Sequence, residues 1–282
     1  MRNGNIDQGR PVAGSGAGED GSRKAGDGLI EAIKVIVSAL LIAFGIRTVL
    51  FEPFNIPSES MLPTLMVGDY LFVSKFAYGY SHHSIIFSPP LFDGRVLFDP
   101  PERGDVAVFK LPRDDSTDYI KRIIGLPGDR IRMQEGRLII NGEPVVRERI
   151  DDFVIKESPN TVCMQRFERV HEDGEAYCHY PRYRETLPNG GSYNTLDLDP
   201  NGPNDTTRVF VVPEGHYFMM GDNRDNSQDS RRPSSVGVGY VPAENLVGRA
   251  DIIFFSTDGR ARLWQPWQWV QAARFKRFFD TL

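Results

Sequence analysis

Residues 118–125 read DYIKRIIG, and this stretch decides the fold class because its short apolar run is typical of a β-strand. Successive side chains of a strand point to opposite faces, so Tyr119, Lys121 and Ile123 share one face. A lysine in such company is either a cation that protects a sheet edge or a desolvated amine with a lowered pKa. The strand alone favours the first interpretation, although a neutral lysine serves as a general base in some enzymes.

Comparable runs rich in Val, Ile, Phe and Tyr lie on both sides of this stretch and alternate with turns of Gly, Pro and Asp. They predict strands at 70–76, 105–110, 119–124, 137–140, 209–212, 217–220 and 250–255. Asn141-Gly142 indicates a hairpin after the fourth of these strands. Because no amphipathic helices alternate with the strands, a parallel α/β sheet is disfavoured. We expect a mainly β fold, an antiparallel β-sheet core with an inserted smaller β and loop domain at about 143–208.

A strongly apolar segment precedes the first strand. Residues 35–46 are interrupted only by Ser38 and Gly45, and with its flanks the segment reaches about 20 residues, the length that a helix needs to cross a bilayer. We expect one N-terminal transmembrane helix, and a helix buried in the core is the alternative. A cleavable signal peptide is disfavoured, since the residues after the run are bulky and charged rather than small.

The charges around the apolar segment predict its orientation. Arg23, Lys24 and Lys34 precede the run, so the positive-inside rule puts the amino terminus in the cytoplasm. The predicted divisions are a flexible cytoplasmic tail at 1–28, a transmembrane anchor at 29–51 and an extracytoplasmic region at 52–282. That last region would lie on the outer, periplasmic face of the cytoplasmic (inner) membrane.

Composition argues against several other classes of protein. The 33 basic and 38 acidic residues leave a net charge of -5, which disfavours nucleic acid as a partner. Two cysteines cannot build a disulfide scaffold. Cys163 and Cys178 lie in the predicted oxidising region, where we expect one disulfide rather than two inert thiols. We expect neither a metal nor another cofactor, because no metal-ligand spacing relates the five histidines, His82, His83, His171, His179 and His216.

Two further segments are rich in side chains that carry chemistry. Residues 56–65 read IPSESMLPTL and hold two serines between prolines that stiffen the backbone. Residues 221–231 read GDNRDNSQDSR, a stretch dense in short hydrogen-bonding side chains that can hold a neighbouring group in place. Taken singly, each segment is better explained as an ordinary polar turn.

Together these segments resemble type I signal peptidases, the membrane-anchored serine proteases that remove signal peptides from exported proteins. The similarity covers the anchor and most of residues 52–255, and it rests on five motifs in the family's order. The motifs are Ser-x-Ser-Met with Pro-Thr-Leu at 58–65, Gly68-Asp69-Tyr70, Arg103-Gly104-Asp105-Val106, Tyr119-Ile120-Lys121-Arg122, and Gly-Asp-Asn-Arg-Asp-Asn-Ser at 221–227. The resemblance reverses the interpretation of the strand lysine as an edge cation.

The resemblance implies a role for each matching position. Ser60 would be the nucleophile and Lys121 the general base, a known variant of the serine triad. Ser58 would join the Ser60 backbone N–H in the oxyanion hole, and Ser227 would orient the lysine. The supporting positions would be Asp229 and Arg231 as a structural ion pair near the site, and Ile56, Pro57, Tyr119 and Ile120 as the lining of the substrate pockets.

The function that this resemblance implies is a membrane-bound serine endopeptidase that cleaves preprotein signal peptides after small residues through an acyl-enzyme. Its partners would be preproteins and membrane lipid, without nucleic acid, and the chain would act as a monomer. A self-cleaving, regulatory Ser-Lys protease and a non-enzymatic, membrane-anchored binding module on the same fold are the alternatives. The presence of Ser60, Lys121 and Ser227 together favours the enzyme.

Four features depart from the family pattern. The chain has one predicted membrane segment where many enterobacterial members have two, and Glu59 replaces the small residue often found between the two serines. Residues 79–101 look like an added loop or β-ribbon. The aromatic and basic stretch at 263–282 suits either a membrane interface or a packed C-terminal helix.

Overall fold

The computed structural model describes residues 20–85, 88–261 and 264–282, with side chains from residue 30 onward. Most of the predicted tail lies outside these residues. The chain forms two compact units, one that ends at Ile46 and one that spans Arg47–Leu282. Each unit has its own architecture, and the second contains every predicted catalytic residue.

Helix α1 spans Asp20–Val49 and dominates the first unit. Its segment Ile30–Val49 is long and apolar enough to cross a membrane, and within the described residues none of this segment is buried. A helix that is apolar all round yet unburied is typical of a membrane span. The helix begins at Asp20, so it includes the last nine residues of the predicted tail at 1–28.

The second unit is built mainly from short β-strands. The strands are β1 (Phe51–Asn55), β2 (Asp69–Ser74), β3 (Val106–Lys110), β4 (Asp118–Gly125), β5 (Arg130–Gln134), β6 (Arg137–Ile140), β7 (Glu143–Pro144), β8 (Val146–Lys156), β9 (Glu168–Val170), β10 (Ala176–Thr186), β11 (Ser192–Leu196), β12 (Phe210–Val211), β13 (His216–Met220), β14 (Tyr240–Pro242) and β15 (Leu246–Ser256). Each of the seven predicted strands overlaps one of these. The mainly β fold class is confirmed.

A seven-stranded antiparallel sheet forms the core in the order β1-β2-β15-β3-β4-β13-β14. Strand β4, the stretch that decided the fold class, therefore has a neighbour on each side. Its residues Ile123 and Ile124 are fully buried on opposite faces, in two different apolar clusters. A strand buried on both faces reads as a continuous apolar run, which is why 118–125 stood out in the sequence.

Two smaller sheets surround this core. One has the order β12-β5-β6-β7, and the other joins β11, β10 and β8, with β9 paired to β10. The second sheet lies within the predicted insertion at 143–208 and contains two strands of 11 residues, so this region is more regular than its polar composition indicated. Cys163 forms a disulfide with Cys178 of β10, with 5.2 Å between the Cα atoms.

The C-terminal stretch packs on the core sheet. It contains a short helix α2 (Pro266–Ala272), after which the backbone bonds to β15: Phe279 N–H donates to Ile253 O at 2.7 Å, and Leu282 N–H donates to Asp251 O at 3.1 Å. The three tryptophans of this stretch, Trp264, Trp267 and Trp269, are exposed. The backbone of this stretch is thus packed on the sheet, in line with the alternative of a packed C-terminal helix. The aromatic rings remain exposed, as binding at a membrane interface would require.

Candidate active site

Ser60 lies on a single 3-10 turn, Glu59–Met61, between β1 and β2. The neighbouring side chains Ile56 and Met61 are buried in the core with Val106, which anchors the turn on the sheet. A backbone bond from Asn223 N–H to Ser60 O (3.1 Å) fastens the turn on its other side. Ser60 is buried as a result, and its hydroxyl is held in a fixed place.

Lys121 reaches Ser60 from the middle of β4. Its Nζ lies 2.7 Å from Ser60 Oγ and 2.8 Å from the carbonyl oxygen of Ile120. The side chain is only 3% exposed, and β4 is an internal strand of the sheet. The edge-strand interpretation of this lysine is therefore wrong, and the amine sits beside a hydroxyl in a place shielded from water.

Burial lowers the pKa of the Lys121 amine to about 8, because desolvation disfavours its charged form. The carboxylates of Asp229 and Asp222 act in the opposite direction and keep the pKa from falling further. The Tyr119 ring lies on the same face, with its centroid 5.4 Å from Nζ. A far larger neutral fraction of this amine than of an ordinary lysine is thus available near neutral pH, and a neutral amine can accept the proton of the adjacent hydroxyl.

Ser58 and Ser227 flank this pair of side chains. Ser58 Oγ lies 3.3 Å from Ser60 Oγ, on an exposed residue just before the turn. Ser227 is buried, and its Oγ has no hydrogen-bond partner among the described residues. The predicted lysine-orienting bond from Ser227 is thus not formed in this structure, although the residue lines the same cavity as Lys121.

Gly221 allows the two sides of the site to approach each other. A Cβ at this position would lie 2.2 Å from Ser227 Oγ and 2.6 Å from Ser60 O, far inside van der Waals contact. Sequence analysis did not single out this glycine, although its place at the start of the 221–231 stretch was a signal. Close backbone approach is a common reason for glycine.

The predicted ion pair of Asp229 and Arg231 is formed and fully buried. Arg231 Nε donates to Asp229 Oδ1 at 2.9 Å and Nη2 donates to Oδ2 at 2.8 Å, while Gly221 N–H donates to Oδ2 at 3.0 Å. Burial alone would raise the pKa of Asp229, but Arg231 outweighs that effect and lowers it. The pair therefore holds the 221–231 loop, including Gly221, as one rigid piece.

Two further buried ion pairs, which sequence analysis missed, attach this loop to the sheets. Arg122 on β4 donates to both carboxylate oxygens of Asp222, at 2.9 and 2.6 Å. Arg224 likewise donates to both oxygens of Glu185 on β10, at 2.7 and 2.6 Å. Bidentate pairs of this kind fix geometry as well as charge. They join the core sheet, the loop and the inserted sheet around the Ser60–Lys121 contact.

A cavity of about 540 Å³ opens beside the two catalytic candidates. Its lining includes Pro57, Tyr119 and Ile120, three of the four predicted substrate-contacting residues. Ile56 is not part of this lining; it is 3% exposed and packs in the core below the Ser60 turn. A hydroxyl, an amine and an apolar wall thus face one open cavity, an arrangement suited to acyl transfer on an extended chain.

The chain is similar to known proteins along most of its length. The sequence model of the family described as "Signal peptidase, peptidase S26" matches residues 29–255. Signal peptidase I of Rickettsia typhi is 39% identical over 264 residues, covering 86% of this chain and 90% of the relative, and that of Rickettsia conorii is 38% identical over 264 residues, covering 86% and 89%. The crystal structure of a signal peptidase I from Enterococcus faecalis aligns with 54% of this chain and 97% of that chain, at 24% identity and a TM-score of 0.27.

Proposed function

Because this chain belongs to the signal peptidase family, peptidase S26, and is therefore a signal peptide-cleaving peptidase, we propose that it works through a Ser60–Lys121 dyad and a covalent acyl-enzyme. The observation that carries this proposal is the 2.7 Å contact between Lys121 Nζ and Ser60 Oγ. The lowered pKa of the amine supports it, since a general base has to be neutral at the pH of the reaction.

The first half of the reaction forms the acyl-enzyme. Neutral Lys121 takes the proton of Ser60 as Oγ attacks the carbonyl carbon of the scissile bond. The backbone N–H of Ser60 and the hydroxyl of Ser58 donate to the oxygen that becomes negative, and one such donor is worth roughly 3–4 kcal/mol in other oxyanion holes. Protonated Lys121 then gives its proton to the leaving amine, the C–N bond breaks, and the signal peptide stays esterified to Ser60.

The second half releases the signal peptide. Lys121 is neutral again after the amine departs, and it takes a proton from a water molecule whose oxygen attacks the ester carbon. The same two donors stabilise the second oxyanion, and Lys121 returns its proton to Ser60 Oγ as the ester bond breaks. The enzyme is restored with one water consumed for each peptide bond cleaved.

The preprotein binds beside the dyad as an extended strand in the cavity that Pro57, Tyr119 and Ile120 line. Small residues one and three positions before the cut are the preference that family membership implies. Ile56 contributes indirectly, by supporting the Ser60 turn from the core. Ser227 orients the lysine once substrate fills the cavity, because its buried hydroxyl has a free hydrogen-bonding capacity in the structure.

The apolar span of α1 anchors the enzyme in the cytoplasmic membrane and brings it into contact with lipid. Its 20 residues match a bilayer's hydrocarbon thickness. Arg23, Lys24 and Lys34 at its N-terminal side favour a cytoplasmic amino terminus, which leaves the catalytic unit on the outer face. Exported preproteins emerge on that face.

Cleavage of a preprotein by the detergent-solubilised full chain tests this proposal. The wild type is expected to release one mature product whose new N-terminus follows a small residue, and Ser60→Ala is expected to release none. Ser235→Ala, at an exposed serine away from the dyad, is the matched control and keeps full activity. Full activity in Ser60→Ala would refute the dyad. Fragmentation of the chain itself without cleavage of the preprotein would favour the self-cleaving alternative, and binding without cleavage would favour the binding module.

A further inference from the structure

The catalytic proposal assigns no role to the segment 79–101, whose described residues include a 3-10 turn at His82–Ser84. The carbonyl oxygen of Ser84 accepts a bond from the buried Lys75 Nζ at 2.7 Å, and Lys75 is itself paired with Glu52 at 2.8 Å. The two histidines of this turn are therefore held in place by the core and do not sit on a loose surface loop.

His83 is a buried side chain with one ring nitrogen that faces a carboxylate and one that has no partner. Its side chain is 1% exposed, and within the described residues its Nδ1 has no hydrogen-bond partner. Its Nε2 lies 3.2 Å from Asp115 Oδ1. Buried polar atoms are almost always hydrogen-bonded, so a buried imidazole with one unpaired nitrogen and a carboxylate beside the other leaves room for a further ligand.

His82 and Asp115 complete a group of three candidate ligands around this imidazole. One donor atom from each of His82, His83 and Asp115 lies within 4.8 Å of the other two. The carboxylate of Asp115 is oriented by Asn245, whose Nδ2 donates to Oδ1 at 2.7 Å. An outer hydrogen bond of this kind is typical of metal-ligating carboxylates.

We propose that His82, His83 and Asp115 bind a divalent transition metal, with Zn²⁺ as the best fit. Two imidazoles and one carboxylate are ligands that zinc takes in proteins, and three protein ligands leave its fourth position for water. The neighbouring Lys110 is engaged by Asp118 at 2.8 Å, so its charge is partly compensated.

The metal would join two parts of the chain that are distant in sequence. His82 and His83 belong to the segment 79–101, whereas Asp115 belongs to the loop between β3 and β4. That loop leads directly into the strand that carries Lys121. The expectation of no metal was based on spacing along the chain, and spacing cannot reveal a ligand supplied by a separate hairpin.

Zinc binding to the full-length chain in detergent tests the proposal, by equilibrium dialysis against Zn²⁺ followed by metal analysis. The His171→Gln/His179→Gln double variant is the starting chain, because the Nε2 atoms of these two exposed histidines lie 2.7 Å apart and form the main competing site. This chain is expected to bind one zinc and to melt at a higher temperature with zinc than with a chelator. Adding Asp115→Asn, or separately His83→Ala, is expected to weaken binding at least tenfold.

Matched measurements separate loss of a ligand from loss of folding. His216→Gln, which changes a histidine outside the group of three ligands, keeps the wild-type zinc affinity. Asp115→Asn retains the size of the side chain, and it is expected to melt with chelator at the same temperature as the starting chain while losing the rise with zinc. Unchanged zinc affinity in Asp115→Asn and His83→Ala, or binding that disappears with His171 and His179, would overturn the proposal.

Discussion

The contact between Lys121 and Ser60 combines a short distance with an unusual environment. Lysine amines are almost always solvated, and burying one costs stability unless it becomes neutral. Lys121 is buried here because it lies on a central strand of the sheet, and burial lowers the pKa of its amine to about 8. The nearest carboxylates, Asp222 and Asp229, are each committed to an arginine, which limits how far they restore the charged form.

Gly221→Ala is expected to lower kcat/KM for preprotein cleavage about 100-fold, since displacement of reactive groups by about 1 Å has effects of that size. The added Cβ would collide with Ser227 Oγ and with Ser60 O, and both would have to move. Steady-state kinetics on a synthetic preprotein measure the change. Gly191→Ala is the control, because its Cβ would meet only the Asn189 side chain at 3.4 Å. Equal activity in the two variants would contradict the role assigned to Gly221.

At the scale of single residues, the sequence predicted which residues form the site better than it predicted what those residues contact. Ser60 and Lys121 were found through motifs, and the structure brings them together. Ile56 was predicted to line the substrate pockets because its position matches a pocket-lining position of the family, but its burial depends on the core beneath it, which no local pattern reports. Gly221 escaped notice because its importance comes from contacts with the Ser227 side chain and the backbone oxygen of Ser60, which only the fold brings together.

Among the elements, the 221–231 loop has the strongest connections to the sheets. Arg122 of β4 is paired with Asp222 of the loop, and Arg224 of the loop is paired with Glu185 of β10. Burial alone would lower the pKa of Arg122, but Asp222 outweighs that effect and raises it. A buried pair contributes little net stability, but it is costly to break on one side only.

Asp222→Asn is expected to reduce the free energy of unfolding by about 3 kcal/mol, because it leaves the buried guanidinium of Arg122 without a counter-charge. Chemical denaturation of the full chain in detergent measures the change. Glu175→Gln removes the carboxylate of the exposed pair with Lys156, 3.2 Å apart, and is expected to cost less than about 1 kcal/mol. Equal losses in both variants would show that the buried pair is no more important than a surface one.

The strands were predictable where apolar residues alternate with polar ones or form a continuous run, as in β4 and β13. The long strands β8 and β10 were missed because they are rich in charged residues, as in Arg147, Glu148 and Arg149. Such strands are stabilised by pairing along their whole length and by one buried face, including Phe153 and Tyr180, rather than by local propensity.

The protein consists of an apolar helix followed by a β-rich unit that contains the residues of the candidate active site. The average composition concealed this division, because a polar chain and one apolar segment together have the hydropathy of an ordinary soluble protein. The helix was predicted from the local run of apolar residues and not from the average composition. The family shown by the comparisons agrees with the motifs that the sequence presented in order.

Leu40→Arg is expected to release part of the chain from the membrane, since an arginine at the centre of a span costs roughly 3 kcal/mol of insertion free energy. Alkaline carbonate extraction followed by immunoblotting measures the released fraction. Lys34→Arg keeps the charge already present near the end of the span and is expected to stay in the pellet. Complete extraction of the wild type, or retention of Leu40→Arg at the wild-type level, would contradict a transmembrane anchor.

The pH dependence of kcat/KM for preprotein cleavage tests the central claim most directly. Neutral Lys121 is the active form, so kcat/KM is expected to rise about tenfold per pH unit below pH 8 and to level off above an apparent pKa of about 8. Lys121→Met is expected to be inactive at every pH and to melt no lower than the wild type, which separates chemistry from folding. A rise that continues to the ordinary lysine pKa near 10.4, or activity retained in Lys121→Met, would contradict the neutral-lysine dyad.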